Sequence, residues 1–72
     1  MKQWFLIEKF IDGSENITPI DGNGMPFALK EKWMELSDEE KSKRSSFEAI
    51  FCEVDENGNP NLAKIERRVQ RL

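Results

Sequence analysis

Histidine and tyrosine are absent from this 72-residue chain, and cysteine occurs once. Without histidine, and with only Cys52 as a thiol, the common general bases, metal ligands and activated nucleophiles are nearly missing. Carboxylates and lysines alone remain for proton transfer, so the composition argues against an enzyme. It points to no cofactor and to no metal. A lone cysteine closes no internal disulfide, and no apolar run reaches the ~18 residues of a membrane span or forms the apolar stretch of a signal peptide. The expectation is a cytoplasmic protein with no membrane segment.

What is present suits one small domain over residues 1–72. A chain this short hides only about 60% of the surface that its unfolded form exposes, so every large side chain is needed inside. Seven aromatics, Trp4, Phe5, Phe10, Phe27, Trp33, Phe47 and Phe51, are the natural core. Cys52, in the apolar run beside Phe51, reads as a small buried hydrophobe. The formal net charge is −3, unevenly spread. Residues 30–60 carry nine acids and five bases, whereas 61–72 carry Lys64, Arg67, Arg68 and Arg71 against Glu66 alone. Such a dipole steers encounter with a charged partner.

Residues 3–11 alternate Trp4, Leu6 and Phe10 with Phe5, Ile7 and Ile11. Apolar side chains on both faces predict a strand near the middle of a small sheet. Asp12 to Asn16 is a turn, and 17–20 returns as a partner strand, placed at an edge because Pro19 has no amide to donate. The loop Asp21-Gly22-Asn23-Gly24 leads to Pro26 at the first position of a helix over 26–36, whose buried stripe is Leu29, Trp33 and Leu36. Residues 37–46 contain no apolar side chain and read as a solvated helical piece, capped where Ser37 accepts from the amide of Glu40 and the Glu40 carboxylate returns to the amide of Ser37. Glu39 with Lys43 and Glu40 with Arg44 add i,i+4 pairs. Residues 47–54 fit either a third strand or a continuation of that helix, and the polar turn Asp55 to Pro60 favours the strand. In the last segment Pro60 opens a helix over 60–72, with Leu62, Ile65, Val69 and Leu72 as its apolar stripe. The expected fold is α+β: two or three strands covered by helices near 26–36 and 60–72.

The phrase Trp33-x-x-Leu36-Ser37-x-x-Glu40-Lys41 resembles the junction between the second and third helices of HMG-box DNA-binding domains. The resemblance spans nine residues and implies an all-helical, basic DNA binder. The strand-like aromatic start and the acidic balance depart from that pattern, and the phrase reads as a packed tryptophan and a capped joint. Asp55-x-Asn57-x-Asn59 and Asp21-x-Asn23 have calcium-loop spacing, but Pro60 stands where such a loop needs glycine, so both are turns. Gly22-Asn23-Gly24 lacks the residues of a phosphate loop and is also a turn.

Two surfaces are candidates for contact with a partner. Lys64, Arg67, Arg68 and Arg71 would occupy about 100° of the last helix, facing phosphates or an acidic protein. Asp38 and Glu39, with Lys43, mark the polar projection. Clustered acids there, extended by Glu31, Glu35, Glu48, Glu53, Asp55 and Glu56, would suit a DNA mimic, though interspersed lysines dilute them. The leading expectation is a non-enzymatic protein-binding module, a regulator or inhibitor of a larger machine. Its size and compactness fit the small accessory proteins of phages and mobile elements. The alternative is a nucleic-acid-associated protein using the basic C-terminal helix. The chain would be a monomer, or a homodimer packed through the Leu62 to Leu72 stripe.

Overall fold

A computed structural model describes residues 1–20 and 25–71, with side chains in the second stretch from Ala28 onward. The Asp21 to Gly24 loop, and Leu72 of the expected stripe, lie outside the described residues. The chain runs β1 (Lys2–Phe10), β2 (Glu15–Ile20), α1 (Met25–Glu35), α2 (Asp38–Ser42), β3 (Arg44–Val54) and β4 (Pro60–Gln70). The strands form one antiparallel sheet in the order β2-β1-β3-β4. Among the described residues no helix is long and apolar enough to cross a membrane.

This corrects the expected architecture. The sheet has four strands rather than two or three, residues 60–70 are strand rather than helix, and the helical part of 37–46 shrinks to five residues before β3 begins at Arg44.

The misleading feature of β4 is the spacing of its apolar residues. Intervals of three and four look helical, but the ladder to β3 shifts register between Phe51 and Cys52, where Glu66 is the extra residue. A bulge of one residue flips the side chains beyond it to the other face of the sheet. Val69 therefore packs with Trp4, Leu6, Leu29, Phe47 and Ala49, while Ile65 packs on the opposite face with Phe5, Ile7, Ile50 and Cys52. The expected single stripe does not exist, and the homodimer built on it loses its basis.

The first face is covered by α1. Leu29 is fully buried there, and Trp33 lies 5.2 Å from the Phe47 ring, centroid to centroid. Among the described residues no helix covers the second face. Instead a second shift in the β3–β4 ladder opposes the five steps from Pro60 to Ile65 with only two on β3, Val54 to Cys52. On this face Leu62 and Ile65 line a cavity of about 150 Å³ together with Ile7 and Ile17. β1 sits between β2 and β3 with apolar side chains on both faces, and β2 is an edge strand, as Pro19 requires.

The polar segment is not purely a projection. Arg44 is almost buried, its side chain only 10% exposed; its Nε donates to Glu8 at 2.7 Å and its Nη1 to the Glu40 backbone oxygen at 2.8 Å and carboxylate at 3.1 Å. The guanidinium also covers the Phe10 ring at 4.8 Å. One side chain thus ties α2 to β1. The Ser37 cap forms, with Oγ accepting from the Glu40 amide at 3.2 Å, but the Glu40 carboxylate turns to Arg44 and Lys43 instead of back to Ser37.

Candidate functional site

The four basic candidates, Lys64, Arg67, Arg68 and Arg71, fall on β4 or immediately after it, and all are exposed. They do not form the row that a helix would have given. On a strand, successive side chains alternate between faces. Arg67 lies over Trp4, 5.7 Å from its ring centroid, on the face that α1 covers. Arg68 turns to the other face, where its Nε is 3.5 Å from the carboxylate of buried Glu48. Among the described residues neither Lys64 nor Arg71 has an ion-pair partner.

What unites the four is the backbone they decorate. The Arg71 amide donates to the Phe47 carbonyl at 2.9 Å, and the register pairs Val69 with Ala49 and Arg67 with Phe51. Bonded and unbonded positions alternate along an antiparallel ladder. Arg67, Val69 and Arg71 therefore bond inward to β3, whereas the amides and carbonyls of Arg68 and Gln70 point away from the sheet. Among the described residues no strand pairs with this outer edge.

The opposite edge differs. The Phe10 amide donates to Ser14 at 2.9 Å, which sets Glu15, Ile17 and residue 19 outward on β2. Residue 19 is a proline, so that edge is interrupted, whereas β4 carries neither proline nor bulge over residues 67–71.

Charge separates the edges further. Residues 60–71 carry Lys64, Arg67, Arg68 and Arg71 against Glu66, net +3, leaving −6 for the rest of a chain whose total is −3. Glu66 is itself engaged: the Lys2 ammonium lies 2.6 Å from its carboxylate, and that hydrogen bond raises the Lys2 pKa above its ordinary value.

Asp38 and Glu39 lie exposed on α2 and Lys43, also exposed, caps its C-terminus, with Glu39 3.7 Å from Lys43. The wider acidic patch disperses. Glu48 is buried and accepts from Gln70 Nε2 at 3.3 Å, Glu53 pairs with the N-terminal ammonium at 3.4 Å, and Asp55 accepts from the amides of Asn57 and Asn59 at 2.9 Å each to close the β3–β4 turn. The Asp21-x-Asn23 pattern lies outside the described residues. The Glu40 carboxyl is held below its ordinary range, chiefly by its hydrogen bond to Arg44. Burial pushes the Cys52 thiol up, only partly offset by the Asn61 amide that donates to it, so the sulfur stays protonated and is not an activated nucleophile.

Sequence reasoning paired Arg44 with Glu40, as the structure does at 3.1 Å, but it missed Glu8 and placed Glu48 in an exposed acid patch. The partners of Glu8 and Glu48 stand 36 and 22 residues away, at Arg44 and Gln70. The isolation of Glu48 between Phe47 and Ala49 was the one available signal.

By fold and surface the molecule is a four-stranded antiparallel sheet with one helix-covered face and one cationic open edge. The chain matches no family model, no curated protein and no solved structure.

Proposed function

We propose that this chain is a small, non-enzymatic protein-binding module of the regulator or inhibitor type, working in a reducing, cytoplasmic setting and meeting its partner along β4. The observation that carries this reading is the outward pair of unbonded backbone positions at Arg68 and Gln70, flanked by Arg67 and Arg71. A sheet edge of this kind supplies backbone hydrogen bonds to an incoming chain, and its charges set which chains approach. The buried, protonated Cys52 is consistent with the same setting.

The reading is tested by capture from lysate with the wild-type chain and with the triple charge reversal Arg67→Glu, Arg68→Glu, Arg71→Glu. A stoichiometric protein held by the wild type and lost by the variant supports it. Equal capture by both, or recovery of nucleic acid rather than protein, contradicts it.

A further inference from the structure

We infer that the partner segment is an extended, acid-rich peptide that adds to the sheet as a fifth strand beside β4; this rests on the protein-binding reading above and specifies its mode. Three observations converge on that occupant.

The first is backbone geometry. Arg68 and Gln70 each direct an amide and a carbonyl outward, and from Arg67 to Arg71, beyond the Glu66 bulge, the strand contains neither proline nor bulge to interrupt pairing. The second is electrostatic. Arg67 and Arg68 turn to opposite faces of the sheet, so an added strand meets positive charge on both of its own faces. Acidic side chains are accepted whichever way it faces. The third concerns a competing occupant, a second copy of this chain. Pairing β4 with its own copy would bring two segments of net charge +3 side by side, which is unfavourable between neighbouring strands. Pairing β4 with the β2 edge of another copy meets Pro19, which offers no amide. The charges that discourage self-association therefore favour an acidic segment.

The probe is a capped octapeptide of alternating glutamate and valine, with a lysine–valine octapeptide as its charge control. Binding is followed by titration calorimetry and by hydrogen exchange of the backbone amides. Gln70→Pro removes one outward amide and obstructs the edge while leaving the side-chain cations and the inward bonds of Val69 and Arg71 in place; Gln70→Ala keeps the amide.

The expected result has three parts. The acidic octapeptide binds and the basic one does not. Gln70→Pro weakens binding about tenfold or more while Gln70→Ala leaves it near wild type. Exchange at Arg68 and Gln70 slows in the complex. The exchange readout uses the unaltered protein, so it decides the matter even if Gln70→Pro fails to fold.

The inference is overturned if the acidic octapeptide does not bind, if the basic one binds equally, if Gln70→Pro binds as wild type does, or if the two amides keep exchanging freely. A free protein that sediments as a dimer dissociated by Gln70→Pro would assign the edge to a second copy and overturn it as well. Should lysate capture depend on Arg67, Arg68 and Arg71 but not on the residue 70 amide, protein binding stands and strand addition falls.

Discussion

Arg44 Nε lies 2.7 Å from Glu8 Oε2, with both side chains only 10% exposed, and this contact joins two residues 36 positions apart. It fixes α2 and the start of β3 against β1. Removing one partner strands the other charge away from water, which costs more than the intact pair contributes. Arg44→Ala is expected to destabilise the protein by about 2–3 kcal/mol, at or just below the range for a fully buried pair because each group keeps some solvent contact. In a domain of this size that is roughly 10–20 °C in melting temperature. Arg44→Met with Glu8→Leu, which removes both charges, should cost clearly less; a double variant as unstable as Arg44→Ala would contradict the account.

Acid should weaken the fold through carboxyls whose folded pKa is depressed. Glu40 is lowered first by its hydrogen bond to Arg44, and Asp12 first by the Ser14 hydroxyl and then by the Ser14 amide. A depressed folded pKa means that the stabilisation is fully present above the unfolded values, 4.5 for Glu and 3.8 for Asp, and is lost as pH falls through the folded ones. Thermal melts below pH 5 should therefore drop with acidity, and Glu40→Gln should flatten part of that dependence. A Glu40→Gln profile that falls as steeply as wild type would contradict the role given to Glu40.

The two described glycines with positive φ test the turns. Gly58 has φ +83° in the β3–β4 turn and Gly13 has φ +92° in the β1–β2 turn, and an added Cβ at either meets nothing within 4 Å. Substitution by alanine carries backbone strain without a clash. Each should cost about 1 kcal/mol by chemical denaturation, and a neutral result at Gly58 would mean that the turn is shaped differently.

Cys52 should resist thiol reagents in the native state. It is fully buried, and burial raises its pKa. Labelling should be slow in buffer and fast in denaturant; equal rates would show that the native sheet does not shield the thiol.

Legibility in the sequence followed the range of the interaction. β1 was readable because Trp4, Leu6, Phe5 and Ile7 load both faces of one short run, and the edge position of β2 because Pro19 acts by itself. α1 and the Ser37 cap are likewise local. β4 was not readable, because the Glu66 bulge splits Ile65 and Val69 between faces while their spacing of four still imitates a helix. Of the candidate site, the cations were visible as a charge excess at residues 61–72. Their arrangement was not, since it depends on pairing with β3. The Glu8 to Arg44 contact was equally hidden: nothing local to 37–46 shows that its one arginine is drawn into the sheet.

The central claim, that β4 is a strand with an open outer edge, is tested most directly by residue-resolved hydrogen exchange on the free protein. Arg67, Val69 and Arg71 should exchange slowly, and Arg68 and Gln70 fast. Uniform protection across 67–71, as a helix or an already covered edge would give, would contradict it.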